Sequence, residues 1–188
     1  MSFDGPRKID DPKAMRAMAH PIRLALLEAL THAGTLTATE AGEKVGESPA
    51  NASFHLRQLA KYGFVEEAEG GTGRRRPWKL AHLGMSFTDV HDDPETATAA
   101  RGLDRVLRAR YFARAQQAFE DRHALPKEWR AVTGMNQMGL YLTPDELKAI
   151  DEEIIELLFK RYADRRTPSP DLPEGAERVE ILTLAYRL

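Results

Sequence analysis

Apolar residues recur every three to four positions along residues 22–32, which is the spacing that places them on one face of a helix. The residues on this face are Ile22, Ala25, Leu26, Ala29 and Leu30. A shorter helix is predicted before it, over residues 13–19, because Asp11 and Pro12 are an N-cap followed by proline. Pro21 separates the two helices, since the residue before a proline avoids helical geometry.

Two more helices with capping signals follow, and a short turn joins them. Thr37 and Glu40 have the spacing of a capping box, so a third helix is predicted to start there. Ser48 opens a fourth helix that continues to about residue 62. A short helix, a tight turn containing glycine and a longer capped helix are the pattern of a helix-turn-helix.

The segment after these helices has the pattern of a β-hairpin. Residues 64–69 and 74–80 are predicted as two strands, and the glycine-rich residues 70–73 form the turn between them. A hairpin that directly follows a helix-turn-helix is the chain order of a winged helix, and we call this hairpin the wing. Residues 1–90 are therefore predicted to form one winged helix-turn-helix domain.

The second half of the chain, residues 91–188, begins with a long helical pattern over residues 95–122. About 28 helical residues extend over about 42 Å, which is too long for a domain of this size to cover alone. We therefore expect this helix to pair with its counterpart in a homodimer. The predicted dimerisation residues are Leu103, Val106, Leu107, Tyr111 and Phe119.

Residues 137–142 and 179–188 are predicted as strands, and a capping box at Thr143 predicts a helix between them. The expected fold is mainly α with a β-hairpin wing, followed by a smaller α+β unit for dimerisation or effector binding. Five residues of that unit are candidates for lining an apolar effector pocket, although ordinary core packing explains the same residue types. They are Phe112, Trp129, Met138, Tyr141 and Tyr162.

Composition narrows the class of protein without selecting a function. The chain has 188 residues, of which 42% are hydrophobic and 30% charged, as in ordinary globular proteins. It has no apolar run of membrane-spanning length and no signal-peptide pattern, so we expect a cytoplasmic protein without membrane contact. The absence of cysteine excludes disulfides, thiolate metal ligands and a cysteine nucleophile.

The formal net charge is −2, but the two halves of the chain differ. Residues 1–90 contain 12 Lys and Arg against 11 Asp and Glu, whereas residues 91–188 contain 15 against 18. Phosphate binding depends on a local basic face, so the position of the basic residues matters more than the total.

The fourth helix has the side chains that reading a DNA major groove requires. The residues predicted to face outward and contact DNA are Ser48, Asn51, Ser53, Phe54, Arg57 and Lys61. Asn51 can bond adenine through two hydrogen bonds, Phe54 can meet a thymine methyl group, and Arg57 can reach a guanine or a phosphate. The alternative is an amphipathic helix whose polar residues are merely solvated.

The predicted wing carries Arg74, Arg75 and Arg76 beside its glycines. Three arginines at the tip of a hairpin suit the narrow minor groove of DNA or its phosphates. A charged turn that only keeps the protein soluble is the alternative. The position of this hairpin after a helix-turn-helix favours the DNA contact.

Three separated segments, MRAMAHPIRLALLEAL, SPANASFHLRQLAKYGFVE and GGTGRRRPWKL, resemble the ArsR-type winged-helix regulators. The resemblance covers roughly residues 13–83 and implies a dimeric regulator of palindromic DNA, often a repressor that an effector releases. It places the operator-facing side chains on the fourth helix and the wing, at the positions given above. It implies double-stranded DNA and a second copy of the chain as partners.

The metal sites of that family have no match here. Its metal-sensing members use a cysteine pair, or Asp-x-His followed by a later His-x-x-Glu or His-x-x-His. Asp89 and His91 match Asp-x-His. The residue eleven positions beyond His91, where the later histidine would be expected, is Gly102. We therefore expect no metal and no cofactor.

Two other classes of function compete with a regulator. Glu152, Glu153 and Glu156 are acidic neighbours on one helix, but they lie opposite its apolar stripe, and no catalytic motif accompanies them. We expect no enzyme activity. The remaining alternative is a winged helix that binds nucleic acid without sequence preference or contacts other proteins.

Overall fold

The computed structural model describes residues 7–71, 76–82, 84–165 and 168–188. The chain divides into two compact units. The first comprises Met1–Arg108 with Arg166–Pro173, and the second comprises Ala109–Arg165 with Glu174–Leu188. The main division falls at residue 108, within a long helix, whereas the sequence placed the boundary near residue 90.

The first unit contains the four helices predicted from apolar spacing and capping signals, followed by the start of the long helix. The helices are α1 (Pro12–Met18), α2 (Pro21–Ala33), α3 (Ala38–Val45), α4 (Pro49–Lys61) and α5 (Pro94–Asp121), which continues past residue 108. The strands are β1 (Arg7–Lys8), β2 (Thr35–Leu36), β3 (Val65–Glu67), β4 (Trp78–Leu80) and β5 (Met85–Ser86).

The predicted side-chain caps account for where these helices begin. The Asp11 carboxylate accepts a hydrogen bond from the Lys13 backbone N–H at 2.9 Å. Thr37 and Glu40 form a complete capping box, in which each side chain accepts from the other residue's backbone N–H. Because these bonds satisfy the N–H groups that have no partner inside a helix, the helix starts are set by local sequence.

Strands β3 and β4 pair antiparallel, with Val65 opposite Leu80 and Glu67 opposite Trp78. Strand β2 joins the other edge of β4, which gives a three-stranded sheet in the order β2-β4-β3. A separate parallel pair connects β1 to β5, with Arg7 opposite Met85. The sequence did not predict this pair, which ties the start of the chain to the segment after the hairpin.

The core of the first unit lies between the helices and the sheet. Its largest fully buried side chains are Phe64, Met15, Leu26, Leu30, Leu56, Leu59, Leu103 and Val65. Leu103 and Leu107 were predicted to contact a second copy of the chain, but the same chain already buries both of them. The reason is that the start of α5 presents Ala97, Ala100 and Leu103 to the core of its own unit.

The second unit contains α6 (Lys127–Val132), α7 (Pro144–Tyr162) and two short 3-10 helices, Arg122–Ala124 and Ala163–Arg165. The predicted strands at residues 137–142 and 179–188 are wrong, because neither segment has regular secondary structure in the described protomer. Alternation of apolar residues marks a side suited to burial, but a strand also needs a neighbour for its backbone hydrogen bonds. The described part of this unit is therefore helical rather than α+β.

None of the described helices is both long enough and apolar enough to cross a membrane.

Candidate nucleic-acid interface

The turn between α3 and α4 brings the two helices into close contact. Gly46 ends α3 with a φ of 73°, in the left-handed region that favours glycine. The Glu47 N–H then donates to the Gly42 carbonyl at 2.8 Å. A Cβ atom on Gly42 would lie 2.7 Å from the Glu47 carbonyl oxygen and 3.4 Å from Ala52 Cβ. Glycine at position 42 therefore allows the start of α4 to pack directly on α3.

Helix α4 has one buried and one outward face. Ala52, His55, Leu56 and Leu59 are buried. Of the residues predicted to contact DNA, Ser48, Phe54, Arg57 and Lys61 are exposed, and Asn51 and Ser53 are half-buried. We call these six residues, four of them exposed and two half-buried, the α4 face.

Ser48 has a structural role at the start of α4. Its hydroxyl oxygen accepts a hydrogen bond from the Asn51 backbone N–H at 3.2 Å, which makes Ser48 the N-cap of the helix. The hydroxyl proton of Ser48 is not used in this bond. Ser48 can therefore cap the helix and still donate to a ligand in front of it.

The side chain of Asn51 is held by a partner that the sequence did not predict. Its Nδ2 donates to the Glu47 carboxylate at 2.7 Å. The amide group keeps a second N–H and its carbonyl oxygen, which are the donor and acceptor that a bidentate contact to adenine uses. Glu47 therefore orients the Asn51 amide. The one signal of this contact in the sequence is that Glu47 and Asn51 lie four residues apart across the start of α4.

The rest of the α4 face combines an exposed aromatic ring with two cations. Phe54 is 50% exposed and packs edge-on against the buried ring of His55, with centroids 5.2 Å apart. This contact fixes the base of the ring and leaves its outer half free to meet an apolar group. Lys61 lies one turn beyond Arg57, and its Nζ is 5.7 Å from the centre of the Tyr62 ring.

The C-terminal end of α4 is fixed by a residue from the start of the chain. Arg7 donates from Nη1 to the Gly63 carbonyl at 2.5 Å and from Nη2 to the Tyr62 carbonyl at 2.8 Å. Its guanidinium also lies over the Phe64 ring, 5.2 Å from the centroid. A cation at this position satisfies carbonyls beyond the helix end and complements the helix dipole.

Two histidines pack behind the α4 face, and their rings stack with centroids 4.7 Å apart. His20 caps α2, where its Nδ1 accepts from the Ile22 N–H, and His55 is buried with no hydrogen-bond partner for Nδ1 among the described residues. Burial lowers the pKa of His55, and the nearby His20 and Arg23 lower it further. Burial and the nearby Arg23 also lower the pKa of His20. The neutral form is therefore favoured at both rings.

The predicted wing is described only in part, because Arg74 and Arg75 lie outside the described residues. Arg76 forms an ion pair with Glu67 at 2.7 Å, across the β3–β4 hairpin. The hydrogen bond that Arg76 donates to the Glu67 carboxylate raises the pKa of Arg76. Lys79 pairs with Glu66 at 3.0 Å on the same hairpin. Both ion pairs are exposed, so another anion can replace the glutamate in each at a small cost in free energy.

Residues 18–68 match a family model described as a helix-turn-helix domain. The match includes α2, α3, α4 and β3, so it covers the α4 face and the turn before it. A domain of this kind points to a DNA-binding regulator. No curated protein matches the chain.

The predicted dimerisation residues divide between the two units. Leu103 and Leu107 are buried in the first unit, Val106 and Tyr111 are half-buried, and Phe119 is 44% exposed. Contact between two copies of α5 stays a prediction. Within α5, only the later turns have exposed large apolar side chains.

The five candidate pocket residues all lie at least partly at the surface of the described protomer. Phe112, Met138, Tyr141 and Tyr162 are exposed, and Trp129 is half-buried. A shallow, open cleft of about 370 Å³ in the same unit is lined instead by Arg122, His123, Lys127, Arg130 and Ala131. An effector pocket at the five residues stays a prediction. Other parts of the protein would have to cover these residues to form one.

No group of three His, Asp or Glu side chains in the described part of the chain is arranged to hold a metal ion. His91 instead makes a hydrogen bond with the Thr88 carbonyl at 2.8 Å through Nε2.

Proposed function

We propose that the protein is a sequence-specific DNA-binding transcription regulator that places α4 in the major groove. The observation that carries this proposal is the α4 face, where Phe54 and Arg57 are exposed and Asn51 is half-buried on a helix whose opposite side is buried. A helix held in this way can enter the groove without losing its packing. The helix-turn-helix match over residues 18–68 supports the same use of the surface.

Base readout in this proposal depends mainly on Asn51. The Glu47 carboxylate fixes the amide, so less side-chain freedom is lost when the amide bonds a base. A bidentate contact of this kind discriminates against a wrong base by about 1–3 kcal/mol. Phe54 adds apolar contact with a thymine methyl group, and Arg57 supplies a guanine or phosphate contact.

The hairpin supplies contacts to the DNA backbone. Arg76 is paired with Glu67, but both side chains are exposed, and such a pair contributes about 0–1 kcal/mol. A phosphate can therefore replace Glu67 as the partner of Arg76. Arg74 and Arg75 are proposed to act with Arg76 at the minor groove or its phosphates.

The finer parts of the proposal concern assembly and control. A monomer presents one α4 face, so a palindromic operator requires a homodimer that presents two. Repression, with release by a small-molecule effector bound in the second half of the chain, follows from the resemblance to ArsR-type regulators. Catalysis is not part of the proposal.

The salt dependence of binding to duplex DNA tests where the surface lies. Arg57→Ala should lower the slope of log affinity against log salt by about one, because one phosphate contact and its released counterion are lost. Arg105→Ala, which removes an exposed arginine of α5, is the matched control and should leave the slope unchanged. Equal effects of the two substitutions would show that α4 does not face the DNA.

Competition with random-sequence duplex separates the proposal from a nonspecific binder. A regulator should prefer a selected duplex by a factor of 10³ or more, whereas a binder of nucleic acid in general should show almost no preference. Asn51→Ala should reduce the preference at one base position and leave binding to random duplex unchanged. A uniform loss on both duplexes would remove Asn51 from base readout.

A further inference from the structure

The open cleft of about 370 Å³ in the second unit is lined by three cations, a histidine and one alanine. The lining residues are Arg122, His123, Lys127, Arg130 and Ala131, and we call this site the basic cleft. Its described lining contains no Asp or Glu. A concave surface that gathers cations without an acidic residue attracts anions.

A short connection between α5 and α6 places the basic residues beside one cleft. The 3-10 helix Arg122–Ala124 follows α5 directly, and α6 begins at Lys127. The Leu125 N–H donates to the Arg122 carbonyl at 3.2 Å, which closes the 3-10 turn. The Nη2 of Arg122 donates to the backbone carbonyl of Arg130 and so joins the two ends of the connection. The Arg122 guanidinium is therefore held in place before a ligand arrives, which reduces the freedom lost on binding.

The cations of the basic cleft differ from other cations of the same unit in having no carboxylate partner in the described part of the chain. Ion pairs elsewhere in the unit are Arg114–Glu180, Lys148–Glu152 and Lys160–Glu156. Lys127 and Arg130 form no ion pair with a described residue, and the Nε of Arg122 is buried without a hydrogen-bond partner among the same residues. Buried donors in folded proteins nearly always have an acceptor, so an acceptor from outside the described chain is expected here.

The acidic residues next to the cleft in sequence do not neutralise it. Glu120 and Asp121 accept hydrogen bonds from Gln116 and Gln117, each at 3.0 Å. Glu128 does not line the cleft. Because like charges around one cleft repel each other, an anion that enters it lowers the electrostatic energy and stabilises the folded unit.

The lining of the basic cleft indicates which anions it fits. A guanidinium group offers paired N–H donors that match a carboxylate or a phosphate, and an ammonium group binds either of them as a point charge. The volume of about 370 Å³ lies near the lower limit of small-molecule sites. With formal positive charges from Arg122, Lys127 and Arg130, the cleft suits a compact ligand that carries two or three negative charges.

The charge around the cleft argues against a long polyanion such as DNA as its occupant. The two segments of the unit, 109–165 and 174–188, contain 11 Lys and Arg and 13 Asp and Glu. Outside the cleft, 8 Lys and Arg remain against the same 13 Asp and Glu. A duplex extends well beyond the cleft and meets this acidic surface, whereas a small anion contacts only the cations.

We propose that the basic cleft binds a small molecule that carries two or more phosphate or carboxylate groups. Arg122 and Arg130 donate to its oxyanions, and Lys127 supplies a further positive charge. The inference deepens the proposed function, because it gives the effector a chemical class and a site, and it rests on that function for the ligand's role. The apolar residues that the sequence suggested for an effector pocket do not line this cleft.

Calorimetric titration of the full chain without DNA tests the site, with pyrophosphate and citrate as probes at constant ionic strength. We expect one site per chain for at least one probe, with a Kd of about 1 mM or lower. Lys127→Gln and Arg130→Gln should each raise that Kd by about tenfold or more, because each removes a charged donor. Both side chains are exposed, so a thermal melt should show that the variants remain folded.

Arg161→Gln is the matched control, because Arg161 is an exposed arginine of α7 in the same unit that does not line the cleft. It should leave the Kd of the probe unchanged. A preference for pyrophosphate assigns the site to phosphates, and a preference for citrate assigns it to carboxylates. Absence of binding by both probes, or the same Kd in all three variants, would overturn the proposal.

The effect of the bound probe on DNA tests the ligand's role separately. At constant ionic strength, the probe should weaken binding of the wild type to a selected duplex by about fivefold or more, and it should have less effect on Arg130→Gln. An equal effect on both proteins would mean that the probe competes with DNA at another surface, and it would overturn the effector role. If no duplex could be selected, the DNA-binding proposal would fail while the calorimetric result would stand.

Discussion

Replacing Gly42 with alanine adds one methyl group where α3 approaches the start of α4 most closely. The new Cβ would lie 2.7 Å from the Glu47 carbonyl oxygen, a distance that Cβ contacts essentially never show. The atom it meets is backbone and cannot rotate away, so the turn must shift. Ala52 Cβ, at 3.4 Å, limits movement of the helix on the other side.

The size of the effect follows from two opposing contributions. Forcing an extra methyl group into a packed site costs about 1–3 kcal/mol. Alanine in a helix is more favourable than glycine by about 0.5–1 kcal/mol, which offsets part of that cost. We expect Gly42→Ala to lower the free energy of unfolding of the first unit by about 1–2 kcal/mol. In a unit of this size, that corresponds to a melting temperature lower by roughly 4–15 °C.

Gly102→Ala makes the same chemical change in the same unit without the clash. Gly102 lies within α5, and nothing is within 4 Å of the position its Cβ would take. The substitution should therefore stabilise the unit by about 0.5–1 kcal/mol. Equilibrium unfolding in urea measures both variants against the wild type. If Gly42→Ala were as stable as Gly102→Ala, the close packing of the turn would be refuted.

Three further outcomes follow from the surroundings of α4. Because burial lowers the pKa of His55 in the folded state below the unfolded value of about 6.5, stability should be complete above that pH and fall as the pH drops through the folded pKa. The urea midpoint of the wild type should be lower at about pH 5.5 than at about pH 7.5. This difference should be smaller in His55→Gln and unchanged in His82→Gln, which alters an exposed residue. An equal difference in all three proteins would contradict the role of His55. Arg7→Gln removes the charged donor to two carbonyls and should lower the free energy of unfolding by about 1.5–3 kcal/mol, whereas Lys8→Gln on the same strand should change it little. Thr37→Ala removes the cap of α3 and should lower the free energy of unfolding by about 1 kcal/mol, so an unchanged thermal melt would exclude the capping box as a stabilising contact.

The parts of the fold that were predictable from the sequence are those with local signals. The Thr37–Glu40 capping box and the Ser48 cap lie within three residues of the N–H groups they satisfy, so they can be read directly. The outward side of α4, which is the candidate site, was predicted from the residue types within that one helix.

The missed features depend on residues that are distant in sequence or on a partner. Arg7 contacts the end of α4 from 55 residues away, and no pattern near Arg7 indicates that contact. Leu103 has the spacing of a dimer seam, but its spacing cannot show whether the same chain or a second copy covers it. The alternation in residues 137–142 indicated a side suited to burial and could not supply the neighbouring strand.

Selection of bound duplexes from a random-sequence pool by the full chain tests whether the α4 face reads DNA. We expect enrichment of a palindrome whose half-sites are centred about 10–11 base pairs apart, or a multiple of that spacing. The same selection with Asn51→Ala should return the palindrome with reduced preference at one position of each half-site. A pool that stays random after repeated rounds, or a motif unchanged by Asn51→Ala and Arg57→Ala, would contradict DNA reading by the α4 face.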